Sequence, residues 1–296
     1  MTDSSIPTYS HSQLGTWERC HFSWSLNYIE KYVTIETKSY FVGGSVVHDL
    51  LMTYYKNLPL TDHDSCVTLV KQRVGEYHRA CGSDPDKLKI VTNMARVVKG
   101  YLEDFARDED AKWDFLDAEK YFKVLLKSPK GRQFYFEGYI DILAREKATG
   151  RIYLWDHKTV GQASSFWTEN MLLMDSQTPT YEAVLFAQNI PVFGSIINQL
   201  NKYSYKTPAT EEQLYRRRPI FHSESELRIR LHELGRTVDE IEDAKELGLY
   251  RRSLSKDCSG CFYMDPCLTL MKAPELPLEH VMRVDFVKKT EKKALI

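Results

Sequence analysis

The sequence predicts an α/β fold in which a mixed central sheet is flanked by helices and preceded by a mainly helical part. Three observations carry this. Apolar residues recur at helical spacing up to about residue 107, strand-like runs occupy 115–160, and helix, strand and helix follow. No internal repeat or low-complexity linker divides the 296 residues, so one domain is the simplest division. Within it, 1–110 is the mainly helical part, 111–210 the α/β core, 211–275 a helical and cysteine-bearing segment, and 276–296 a charged tail.

Ser10 is placed to cap a helix running to about Tyr28, with Leu14, Trp17 and Leu26 among its apolar positions and Cys20 inside it. After Gly43-Gly44, Ser45 opens a helix with Val47, Leu50, Leu51 and Tyr54 on one face and His48 in its first turn. Helices over 64–80 and 86–107 read as scaffold, and Cys66 and Cys81 there as inert thiols. A strand covers 118–126, with Glu119 near its start. Two more strands, joined by a turn at Lys147–Gly150, fill 136–156 and a little beyond. A helix over 176–188, a strand over 195–205, a polar basic loop and a long helix over 224–247 complete the order. The tail, with Lys288, Lys289, Lys292 and Lys293, is expected to be partly disordered.

The strand pair around the turn carries the chemistry. Each strand brings one aspartate, Asp141 and Asp156, and Lys158 lies two residues past the second. Strand side chains alternate, so Asp156 and Lys158 share a face while His157 points away, its carbonyl between them. Two adjacent carboxylates repel, and a divalent cation is the usual remedy; their oxygens suit Mg²⁺ or Mn²⁺. Such an ion activates water and polarises a phosphoryl oxygen, and a neighbouring lysine orients the water or offsets charge on the phosphate. On Asp-x-Lys alone, a solvated hairpin with polar outer faces stays open as the alternative.

Composition bounds the rest. Hydrophobic residues make up 43% and aromatic residues 12%, enough for a sizeable core. No apolar run approaches the ~20 residues of a membrane helix, and the first residues lack a secretory pattern, so a cytoplasmic, membrane-free protein is expected. The net charge of −1 does not advertise a nucleic-acid binder, but phosphate contacts need only a local patch. Lys123, Lys127, Lys130 and Arg132 offer one such patch, Arg216–Arg218 a second, and Arg251 with Arg252 a third; solvated surface charge is the competing reading.

Three of the six cysteines form Cys258-x2-Cys261-x5-Cys267. Three thiols this close ask for a metal, and three ligands leave a tetrahedral site one short. Cys20 is the best fourth candidate; Cys66, Cys81 or a histidine are the others. Zinc and a 4Fe–4S cluster both accept four cysteines, and spacing does not separate them. Ligation by Cys20 together with the C-terminal trio would close a loop of more than 200 residues, at a cost of roughly 5 kcal/mol, and join the two ends of the domain.

Taken together, these pieces resemble the PD-(D/E)XK nuclease superfamily. More closely they are similar to its RecB-like branch with an iron–sulfur cluster, the type of AddB nuclease domains and CRISPR-adaptation nucleases. Ser12, Leu14, Cys20 and Phe22 match the N-terminal cysteine motif. Gly44-x3-His48 matches the motif of a metal-ligating histidine. Gly138-Tyr-Ile-Asp141 and Asp156-His-Lys158 match the two catalytic motifs, Gln177-x3-Tyr181 the helix motif, and Cys258, Cys261 and Cys267 the C-terminal trio. One departure is His157, where tyrosine is commoner.

The resemblance implies a restriction-endonuclease-like sheet and metal-dependent hydrolysis of DNA, as an exonuclease rather than an endonuclease, in recombination, repair or mobile-element DNA processing. It implies one or two Mg²⁺ or Mn²⁺ ions held by His48, Asp141, Asp156 and the carbonyl of His157, with Asp141, Asp156 and Lys158 catalytic. Gln177 and Tyr181 would contact DNA or support Lys158. It favours 4Fe–4S over zinc, on Cys20, Cys258, Cys261 and Cys267. A helicase, recombinase or single-strand-binding protein would supply unwinding, since the chain has no Walker A motif. Two alternatives stay open: a CRISPR-adaptation nuclease, and a DNA-binding or assembly protein that keeps the fold without cutting.

Overall fold

The computed structural model describes residues 6–35, 39–161, 163–202 and 210–289. The end of the expected 195–205 strand and Lys292 and Lys293 of the tail lie outside them. In chain order the elements are β1 (Thr8–Ser10), α1 (His11–Arg19), α2 (His21–Trp24), β2 (Tyr32–Thr34), α3 (Ser39–Asn57), α4 (His63–Cys81), α5 (Pro85–Gly100) and α6 (Arg107–Asp110). Then come β3 (Trp113–Lys127), β4 (Gln133–Glu146), β5 (Ile152–Val160), α7 (Glu169–Leu173), α8 (Gln177–Ala187), β6 (Gly194–Asn201), α9 (Glu211–Leu214) and β7 (Tyr215–Ile220). The C-terminal part is α10 (Glu224–Leu247), α11 (Met264–Lys272), α12 (Leu278–Met282) and β8 (Phe286–Lys288). This is the expected α/β fold with a mixed sheet, flanking helices and an N-terminal helical part. No helix among the described residues is long and apolar enough to cross a membrane.

Two compact units divide the chain. The first comprises Met1–Lys38, Leu125–Phe136 and His232–Ile296. Ser10 Oγ accepts from Gln13 N and caps α1, as expected. The single helix to Tyr28 is not formed. Cys20 is extended (φ −166°, ψ 114°), and the chain restarts as α2 and a wide π-turn over Ser25–Ile29. The break is local geometry: an extended residue 20 lets its sulfur accept from Ser253 N at 3.5 Å. The described part of the tail, up to residue 289, is ordered. β8 pairs antiparallel with β2, and Phe286 and Met282 pack with Tyr263, Tyr32 and Leu26. Apolar side chains at 282 and 286 outweigh the lysines around them.

The second unit comprises Ser39–Val124 and Glu137–Leu231. α3, α4 and α5 pack as a helical layer on a core that includes Val47, Leu50, Tyr55, Val98, Tyr101 and Trp155. β4, β5, β6 and β7 are successive neighbours in the sheet, and β3 pairs with β4. β4 and β5 form the predicted antiparallel hairpin, closed where Gly150 adopts φ +73°. β6 lies parallel to β5 after a crossover through α8, and β7 returns antiparallel to β6. β7 occupies the segment read as a basic loop. Its arginines and Pro219 hide the strand signal, because they are edge-strand residues; Arg217 alone turns inward, to pair with buried Asp110 at 2.8 Å.

α8 is fastened by polar groups as well as by apolar packing. Buried Glu182 accepts from Ser195 Oγ of β6 and faces His222 Nδ1 at 3.1 Å. Gly194, at the start of β6, is required by proximity: a Cβ there would sit 2.5 Å from Ile220 O.

Two outcomes follow from these contacts. Gly194→Ala is expected to cost about 1–3 kcal/mol, because the obstacle is backbone rather than a movable side chain; an unchanged urea midpoint would refute it. The hydrogen bond to Glu182 raises the pKa of His222 above 6.5, against the effect of its burial. A raised folded-state pKa stabilises fully below 6.5 and loses that contribution as pH climbs through the folded value. Urea midpoints of the wild type should therefore fall as pH rises above 6.5, and His222→Gln should flatten that slope.

Candidate active site

Asp141 immediately precedes Ile142 on β4 and Asp156 immediately follows Trp155 on β5; Ile142 and Trp155 are paired in the antiparallel hairpin, so the two carboxylates stand side by side. Asp141 Oδ2 accepts from His157 N at 2.8 Å and lies 3.5 Å from His48 Nδ1 on α3. Asp156 is buried, and Lys158 Nζ meets its Oδ2 at 2.7 Å. Lys158 Nζ also donates to Gln177 Oε1 at 2.9 Å. Helix α8 supplies Gln177 and, one turn on, Tyr181. The structure thus brings His48, Asp141, Asp156, Lys158, Gln177 and Tyr181 into one region of the second unit.

The electrostatics follow from burial and from the paired carboxylates. Burial pushes Asp156 up; Lys158 opposes this and Asp141 adds to it, leaving a pKa of about 7. Burial pushes Lys158 down, but Asp156 more than reverses this and the ammonium is held charged. Burial, then the charges of Asp141 and Asp156, raise Tyr181 to about 12. The Tyr181 ring packs edge-on against Phe122. It also explains Gly138 of the first strand motif, where a Cβ would lie 2.8 Å from Tyr181 Oη.

His157 points to the opposite face, as alternation requires. Its ring is fully buried, bonded through Nδ1 to Asn198 and stacked on Tyr55. Burial, then His48, Arg217 and Lys158, push its pKa far down, so the imidazole is neutral. Glu119 has no place in this region. It is paired with Lys56 at 2.8 Å, and its φ of +53° marks a local irregularity of β3.

Sequence reasoning missed Asp175, Trp167 and Asn198. Asp175 Oδ2 accepts from Thr178 N and Oγ1 at the start of α8, and its charge reaches Asp156 and Lys158. An Asp three residues before a threonine is a readable cap signal. Trp167 places its ring 5.9 Å from Lys158 Nζ. Neither Trp167 nor Asn198 has a sequence signal.

In donor chemistry the region fits a hard divalent ion. Two adjacent carboxylates, one of them raised by burial and by its neighbour, offer the oxygen donors that such an ion takes. Among the described residues, however, no three His, Cys, Asp or Glu side chains are gathered closely enough to hold a metal ion. Lys158, rather than a shared centre, meets Asp156.

The same holds for Cys20, Cys258, Cys261 and Cys267, which lie in the first unit. Cys20 accepts from Ser253 N, and Cys258 accepts from Ser255 N, each at 3.5 Å. Burial raises Cys267; Arg252 opposes it, and Cys20 and Cys261 are near enough to add to it. The four share a neighbourhood, but no cluster site is formed, so the expected cluster joining the N- and C-terminal segments finds no support in the geometry. Cys66 is a buried thiol pushed up to about 11, consistent with an inert core residue.

No curated protein matches this chain. Among solved structures, a protein from Eubacterium rectale described as a putative exonuclease aligns at a TM-score of 0.51 with 13% identity, covering 88% of this chain and 92% of that one. That likeness shows the fold. A family model, that of the PD-(D/E)XK nuclease superfamily, matches residues 8–268. This span takes in the hairpin, α8 and all the cysteines, and the chain belongs to the PD-(D/E)XK nuclease superfamily.

Proposed function

We propose that the protein is a metal-dependent deoxyribonuclease hydrolysing phosphodiester bonds, acting as an exonuclease. The observation that carries this is the hairpin geometry. Asp141 and Asp156 stand side by side, Lys158 is held at 2.7 Å from Asp156, and the N–H of His157 anchors Asp141. The exonuclease assignment draws only on the shared fold with the Eubacterium rectale protein.

Asp141, Asp156, His48 and the carbonyl of His157 would hold Mg²⁺ or Mn²⁺, which supplies an activated water and neutralises charge on the phosphate. Lys158 keeps its charge and directs its ammonium at the region between Asp156 and Gln177, where it orients water or offsets transition-state charge. Gln177 holds that ammonium in place. Tyr181 stays protonated and presents a hydroxyl from the same helix face. No covalent enzyme intermediate is involved.

Cys20, Cys258, Cys261 and Cys267 are proposed as ligands of a 4Fe–4S cluster. The support is their motif spacing. No step of hydrolysis depends on it.

End-labelled linear DNA and closed circles, incubated with Mn²⁺, Mg²⁺ or EDTA, test the activity. Wild type should degrade linear DNA only with metal, and Asp156→Ala and Lys158→Ala should each lose about 10²–10³-fold in rate. Cleavage by both variants at the wild-type rate would sink the site assignment; cut circles would make it an endonuclease; binding without cleavage would make it a DNA-binding protein. Iron and acid-labile sulfide near four each per chain are expected after anaerobic purification, and zinc in their place would overturn the cluster.

A further inference from the structure

The residue between Asp156 and Lys158 turns its side chain to the other face of β5, and that face carries a connected set of buried polar groups. Strand register aligns His157 with Asn198 on β6, and Asn198 with Arg217 on β7. Asn198 Nδ2 donates to His157 Nδ1 at 2.8 Å and to Tyr101 Oη at 2.9 Å. An amide NH₂ has two hydrogens, so both are used, His157 Nδ1 is the acceptor and its proton sits on Nε2. Arg217 Nη2 donates to the same Tyr101 oxygen at 2.7 Å and to Asp110 at 2.8 Å. With two donors already on it, the Tyr101 hydroxyl gives its own hydrogen to Tyr55 Oη at 2.7 Å. The Tyr55 ring closes the circuit by stacking on the His157 imidazole, centroids 5.4 Å apart and planes 21° from parallel.

An apolar filling of this space would cost less than burying an ion pair, an amide and two hydroxyls. What the polar set adds is direction. It holds the His157 ring on one face and at one nitrogen, and so restrains the backbone on either side. That backbone gives the N–H that fixes Asp141 at 2.8 Å, and its carbonyl is a donor in the proposed metal site. We propose that Asn198 is a positioning residue of the metal site: by gripping the His157 imidazole it sets the His157 peptide, and through it the Asp141 carboxylate.

This rests on the metal-dependent reading, and the test separates the two. Mn²⁺ binding to the EDTA-treated, dialysed full chain is followed by the paramagnetic resonance signal of free Mn²⁺, for wild type, Asn198→Leu, Tyr101→Phe and Asp141→Ala. Asn198→Leu keeps the branched shape and removes the grip; it should weaken Mn²⁺ binding about 10–100-fold, the usual scale for groups that orient metal ligands. DNA binding measured in EDTA should stay at the wild-type level. Tyr101→Phe removes the shared hydroxyl and should weaken Mn²⁺ in the same direction by less. A folded Asn198→Leu with wild-type Mn²⁺ affinity overturns the proposal. Should that variant fail to fold, wild-type affinity in Tyr101→Phe overturns it instead. If wild type takes up no Mn²⁺, or Asp141→Ala binds it like wild type, the metal reading itself falls and the proposal with it.

Discussion

The second unit is arranged around a buried carboxylate that cannot easily bear its charge. Asp156 is out of solvent and beside Asp141, and both facts favour the protonated form. Lys158 is the counterweight, at 2.7 Å. A lysine has a long, mobile side chain, so holding it there needs a second contact, and Gln177 provides it. Gln177 in turn needs the start of α8 in the right place. Asp175 ties down that first turn through Thr178, and Ser195 and His222 grip Glu182 further along. The dependence runs from one carboxylate through one ammonium to an entire helix.

Sheet geometry lets the same three residues serve two purposes. On one face Asp156 and Lys158 form an ion pair; on the other His157 is built into a dry polar lattice. Parallel pairing with β6 and antiparallel pairing with β7 carry that lattice two strands across, to Arg217. A one-residue slip of β5 would bring His157 to the face that Lys158 occupies and turn Asp156 and Lys158 toward Tyr55 and Tyr101. The lattice and the ion pair therefore specify the same register.

Much of this was legible in the sequence, for identifiable reasons. The hairpin, α8 and α10 announce themselves by period and turn residues, and Asp141, Asp156, Lys158 and Gln177 lie where strand and helix periodicity put them. What escaped depends on partners distant in sequence. β7 reads as a basic loop because Arg217 pairs with Asp110, 107 positions earlier. The break at Cys20 answers to Ser253, and β8 to β2. Asn198 lies in a short apolar run and looks like an accident of composition until its two donors are traced. The cysteine motif is the reverse case: the spacing is plain in the sequence, while the described geometry stops short of a metal centre.

The choice of histidine at 157 shows why a backbone donor does not make its side chain idle. A phenylalanine would stack on Tyr55 equally well and would avoid the orphaned Nε2, which is buried without a partner. It would not accept from Asn198, and the second hydrogen of that amide would be left unmet in a dry core. The imidazole accepts this cost because Nδ1 gives the β5 backbone a fixed tie to β6 and, through Tyr101, to the Arg217–Asp110 pair. A neutral ring is what this requires, and burial with nearby positive charge keeps it neutral. The position that sequence reading treats as a carrier of one carbonyl is the point where the carboxylate-bearing and core-facing halves of the strand are joined.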